Sequence, residues 1–211
     1  MFKLMKYIMI FICLYTFHTV FETYLINKQL DDFKNMAVYD YSEGNINYYI
    51  VESNVSSNNT GDILLSRKSG NPNLLLRDMI SFYVGGHAAV IINEEETIEV
   101  FGNLQSENLV RIYENDWLDT ETEVIGMKVE GNYEFNFTKY LNQTYNWFPF
   151  YDNPNKRYCT DLVSKIYSEA GINVNYDLGI VTVNDIIISK NTSIYLYKEI
   201  VKDEINIYYK G

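Results

Sequence analysis

Between Gly61 and Gly131 the chain offers five short apolar runs, GDILLSR, HAAVII, TIEVFG, LVRIYE and EVIGMKVEG. Each is rich in β-branched or small residues and bounded by polar or glycine-containing stretches, the pattern of strands separated by turns. HAAVII and TIEVFG flank the polar stretch NEEE and read as a hairpin. Because these strands cluster instead of alternating with helices, the expected class is α+β with an antiparallel sheet, not a doubly wound parallel one. Helices are expected for LLLRDMISFYVGG, ending at Gly85-Gly86, and for NYEFNFTKYLNQTY, where Phe135, Tyr140 and Leu141 recur at near-helical spacing. A third helix opens at Cys159 and stops at Gly171; LGIVTVNDIII then reads as a turn region and TSIYLYKEI as the last strand.

The first residues raise a different expectation. From Tyr7 to Ile26 the chain is apolar over twenty positions, with His18 and Glu22 as polar exceptions. A spanning helix needs about 20 apolar residues. Lys3 and Lys6 before the run and Asp31 and Asp32 after it orient the bulk of the chain outward. Residues 1–26 are therefore expected as a membrane anchor; the alternative is a signal peptide cut at an atypical site, since no Ala-x-Ala-like sequence follows. Either way the remainder is exported. Residues 27–60 form a juxtamembrane region and linker ending in the Ser/Asn-rich VESNVSSNNTGD, and residues 61–211 form the main domain.

Charge and composition exclude several functions. The formal net charge is −11 over 211 residues, with no basic patch, which argues against nucleic acid. Cys13 lies in the apolar segment, so Cys159 has no partner in the folded part, and a disulfide framework is excluded. With two cysteines and two histidines, His18 and His87, neither a cysteine zinc cluster nor a histidine-rich metal site is available. No metal or cofactor is expected.

The remaining cysteine then draws the argument. Leu162, Val163, Ile166 and Ala170 define an apolar stripe, and Cys159 lies on it at the first turn. Free cysteines usually serve as small buried hydrophobes, and the helix alone favours that reading. A helix N-terminus, however, presents unpaired N–H groups and partial positive charge that stabilise a thiolate. Lys156 and Arg157 add to this, and Asp161 opposes it slightly. His87 follows Gly85-Gly86 at the mouth of one hairpin strand, and Glu99 lies on the return strand. An odd-numbered loop puts His87 opposite Phe101 and diagonal to Glu99, within reach of a hydrogen bond; an even loop separates them onto opposite faces. Cys159, His87 and Glu99 would then supply a nucleophile, a base and an orienting carboxylate.

At these residues the sequence resembles the permuted papain-like amidases of the NlpC/P60 superfamily, of the YiiX/YebB type. The resemblance rests on Gly61-Asp62-Ile63-Leu64, Gly86-His87-Ala88-Ala89-Val90, Thr97-Ile98-Glu99, Tyr145-Asn146-Trp147 and Tyr158-Cys159-Thr160-Asp161-Leu162-Val163, in that order. It spans Gly61 to Tyr197 and departs from the family pattern at Thr160 and Val183. It implies a circularly permuted papain-like fold in which the nucleophile helix packs on an antiparallel sheet. It also implies Cys159 as nucleophile, His87 as base and Glu99 as orienter, with Tyr145, Trp147 and Tyr158 near the cleft. The implied reaction is thiol hydrolysis of amide bonds in a cell-wall peptide or an amide-bearing small substrate. Two other readings stand beside it: a thiol acyltransferase acting on lipids, and a non-catalytic ligand-binding relative.

Overall fold

The computed structural model describes residues 2–53, 60–67, 86–102, 108–149, 151, 153–177 and 179–211. Helix α1 (Phe2–Asn35) leads into β1 (Val38–Glu43), β2 (Ile46–Val51) and β3 (Ile63–Ser66). The hairpin β4 (His87–Asn93) and β5 (Glu96–Glu99) follows, then β6 (Arg111–Glu114), the short α2 (Trp117–Thr120) and β7 (Val124–Lys128). Beyond these come the two-residue strands β8 (Thr144–Tyr145) and β9 (Lys156–Arg157), helix α3 (Cys159–Glu169), helix α4 (Val183–Ile188), β10 (Ser193–Val201) and β11 (Glu204–Lys210). The helix expected for LLLRDMISFYVGG lies outside the described residues, apart from Gly86.

One nine-stranded sheet runs β1-β2-β11-β10-β7-β3-β4-β5-β6. Its neighbours are antiparallel except for β2 and β11. The class is thus mixed α+β with a large, mostly antiparallel sheet. Its central strands are apolar on both sides, so they form two cores. Ile63 and Leu65, Ala88 and Val90, and Ile125 and Met127 face Leu162, Val163 and Ile166 of α3 and Ile186 and Ile187 of α4. Leu64, Ala89, Ile91, Val124, Leu196 and Ile207 share the second core with Trp117.

Among the described residues no helix is long and apolar enough to cross a membrane. The apolar N-terminal run is the first part of a 34-residue helix whose later turns bury Ile26, Leu30 and Phe33 in the first core. That i, i+4, i+7 stripe belongs to an amphipathic helix packed on a domain. Residues 27–60 are also more than a linker, because β2 pairs in parallel with β11 over six residues, Ile46 to Val51. The segment NYEFNFTKYLNQTY is not an α-helix; only Phe137–Tyr140 winds, as a 3-10 turn. Tyr133, Phe135 and Phe137 recur every second residue instead, and Phe135 packs edge-on against Tyr167 at 5.2 Å. Finally, VNDIII is a helix, α4, whose capping box pairs Thr182 with Asp185. The strand after it is not the last: Lys202 and Asp203, both at positive φ, turn β10 back into β11.

Candidate active site

His87 is the first residue of β4. Gly86 before it sits at φ +67°, where a Cβ would collide with the Ser66 carbonyl oxygen, so only glycine brings the strand in at this angle. Across the hairpin, Asn93 pairs with Glu96 around the two-residue turn Glu94-Glu95, an even count. The extra residue Ile92 forms a bulge that restores the odd register, Ile91 with Thr97 and Val90 with Ile98. His87 and Glu99 therefore share a face, and His87 Nε2 lies 2.7 Å from Glu99 Oε2. The His87 ring stacks on Phe101 at 4.3 Å and on Trp117 at 5.4 Å.

Glu99 is buried and fully engaged. Its Oε1 accepts from Thr97 Oγ1 at 2.5 Å and from Trp117 Nε1 at 2.8 Å. Burial alone would raise its pKa, but the hydrogen bond and charge of His87, then Thr97 and Trp117, hold it below the usual carboxylate range. Trp117 was not singled out by sequence reasoning, and Thr97 entered only as part of Thr97-Ile98-Glu99, with no role of its own. Thr97 sits two residues before Glu99 on the same strand face, a signal legible in principle; Trp117 comes from α2, eighteen residues away in the chain, and carries no such signal.

Cys159 opens α3, and Leu162 N–H closes the first turn onto the Tyr158 carbonyl. The thiol is buried beside the His87 ring and acts on its ionisation. Since Nε2 is held by Glu99, Nδ1 is the ring nitrogen left for sulfur. Burial opposes a charged ring, yet Cys159 and the hydrogen bond to Glu99 outweigh it and push His87 from 6.5 up to about 10. The three residues thus form one chain from sulfur to imidazole to carboxylate. Such a chain can take a proton from sulfur and hold the resulting imidazolium in place.

The expected cleft residues divide. The Tyr145 ring rests against Gly102, where a Cβ would strike it, and its phenol is raised by burial and then by the adjacent Cys159. Trp147 lies tilted against Tyr145 at 4.8 Å and is half exposed. Tyr158 is buried as the residue preceding the helix, and its hydroxyl accepts from Val181 N–H at 3.2 Å. It anchors the helix start, as does Thr160, which donates to the Val181 carbonyl at 2.7 Å. Arg157, expected to assist a thiolate, is spent elsewhere. It donates to the carbonyls of Asn153, Pro154 and Lys156 and lies 3.6 Å from Asp161. Among the described residues no group of three or more His, Cys, Asp or Glu side chains could hold a metal ion.

Comparison with protein-family models, with curated proteins and with solved structures finds no match to this chain.

Proposed function

We propose that the chain is a thiol hydrolase of amide bonds, with a permuted papain-like fold of the NlpC/P60 superfamily, YiiX/YebB type. The observation that carries this reading is the Cys159–His87–Glu99 chain, with its sulfur at the N-terminus of a helix packed on an antiparallel sheet. In the reaction, His87 Nδ1 takes the thiol proton and the Cys159 sulfur attacks the amide carbonyl carbon. The Cys159 backbone N–H, unpaired within the first turn of α3, donates to the developing oxyanion. The C–N bond then breaks as the imidazolium hands its proton to the leaving amine. Water activated by the same ring hydrolyses the thioester and restores the thiol. Glu99 fixes the ring throughout, supported by Thr97 and Trp117.

The substrate class in this reading is a cell-wall peptide or an amino-acid amide. A lipid-acting acyl transfer on the same thiol has one observation in its favour: Trp147, Phe148 and Tyr151 are exposed beside Tyr145. The reading also places the domain on the outer side of a membrane, contacted through the apolar side chains exposed along the first half of α1, among them Leu14, Phe17 and Val20.

The test is to incubate the full chain with peptide amides and with lipid esters, alongside Cys159→Ala and His87→Ala. Amine release and a mass shift of one acyl group on the Cys159 peptide, both lost in the variants, are the expected results. Turnover of esters alone moves the reaction to lipids. If neither class turns over while substrate is still retained, the chain is a binding module.

A further inference from the structure

The mechanism above makes no use of Glu121, a half-buried acid whose Oε2 is enclosed. Glu121 closes α2: its N–H bonds the Trp117 carbonyl at 3.1 Å, and its own carbonyl receives Lys198 Nζ at 2.6 Å. Lys198, nearly fully buried, also donates to the Leu118 carbonyl at 2.6 Å, so the turn carrying Trp117 and Glu121 is clamped to β10. The Glu121 carboxyl lies near Ser66, which helps to draw its pKa down. Ser66 is fully buried and is the direct cross-strand partner of His87. The second carboxyl oxygen, Oε2, is buried with no hydrogen-bond partner among the described residues. A carboxyl held beside an imidazole with one oxygen unspent is costly to bury unless a nearby positive charge offsets it.

We propose that Glu121 is a second carboxylate for the imidazolium, a positioning residue that acts on His87 from the β3 side while Glu99 acts from β5. This rests on the reading of Cys159 and His87 as a reactive pair. Trp117 joins the two acids: its indole N–H holds Glu99, its ring lies on His87, and the turn it begins ends at Glu121. The charges that Glu121 meets are His87 on β4, Glu99 on β5 and Lys198 on β10. Burial raises its own pKa first, His87 and then Ser66 draw it back, and Glu99 raises it further. An ionised Glu121 stabilises the imidazolium, and the imidazolium in turn keeps Glu121 ionised.

The experiment follows the two histidine ring resonances by NMR against pH in the full chain, with Cys13 replaced by Ser so that Cys159 is the sole thiol. His18 is assigned by its own substitution. In Glu121→Gln the pH at which His87 loses its proton falls by about one unit, the size expected for removing one nearby opposite charge. Glu121→Asp keeps the charge but withdraws it by one methylene, and its titration falls between the two. A purely structural Glu121 would leave both titrations on the wild-type curve, and that result overturns the inference. If Gln disrupts the fold, as judged by near-ultraviolet circular dichroism, the Asp titration decides alone. The underlying reading fails separately: there His87 titrates near its ordinary value in the parent chain, and alkylation of Cys159 is indifferent to His87→Ala.

Discussion

Replacing His87 by Gln should change not only activity but the shape of the stability curve against pH. In the unfolded chain a histidine titrates near 6.5, whereas in the fold His87 is pushed up to about 10. A group whose pKa rises on folding contributes its full stabilisation below the unfolded value and loses it as pH climbs toward the folded value. Each unit of pH inside that window removes about 1.4 kcal/mol, so the loss between pH 6.5 and 9 is on the order of 3 kcal/mol. The buried phenols of Tyr145, Tyr158 and Tyr167 are also raised, by burial first, but they cost stability only above the unfolded tyrosine value of 10. The two windows therefore meet and do not overlap. The assay is urea unfolding at half-unit steps from pH 5.5 to 9.5, comparing the parent chain with His87→Gln. Between pH 6.5 and 9 the parent should lose about 3 kcal/mol relative to the variant. In Cys159→Ser the drop should shrink, because Cys159 makes the largest contribution raising His87. Parallel curves for parent and His87→Gln would refute the argument, since they would mean that folding leaves the ring's ionisation unchanged.

Other perturbations probe the supports. Trp117→Phe keeps a ring against His87 but removes the 2.8 Å donor to Glu99, and should cost about 2 kcal/mol in chemical denaturation while lowering the His87 titration. Gly86→Ala forces a left-handed φ and a clash with the Ser66 carbonyl; a loss above about 3 kcal/mol, or failure to fold, is expected by thermal melting. Deleting Ile92 removes the unpaired residue but leaves Ile91 opposite Thr97 and Val90 opposite Ile98, so His87 and Glu99 stay on one face. Amide hydrolysis by that variant should be retained, and a fall to the level of Glu99→Ala would show that the bulge does more than absorb one residue.

The sequence carried the strands and the helix at Cys159 because their signals are local. Alternating or continuous β-branched runs and a Gly171 stop at positive φ leave little choice. What it hid were features settled by distant partners. The later turns of α1 give no local sign of their packing, because Ile26, Leu30 and Phe33 reveal their role only when the sheet is present to bury them. β11 carries a weak alternation in EINIYYK and gains its place from β10 on one side and β2 on the other. Tyr133, Phe135 and Phe137 could have been read by their period of two, and Thr182-x-x-Asp185 by its capping pattern; both signals were present and outweighed by coarser ones.

The site follows the same division. Cys159, His87 and Glu99 were legible as residue types in suitable settings, but their meeting depends on a parity that no local pattern fixes. The tight turn at Glu94-Glu95 alone would have separated histidine from glutamate, and the bulged Ile92 reverses that outcome by one residue. The carboxylate then needs donors that its own strand supplies only in part: Thr97 is local, while Trp117 reaches it from α2, and α2 is held in turn by Lys198 of β10. A buried lysine bound to two carbonyls has no reason to be there for the sheet's sake, since an apolar residue would fill the space at lower desolvation cost. Its placement makes sense as the far end of a brace running from β10 through Trp117 to Glu99 and His87, which fixes the imidazole against the thiol.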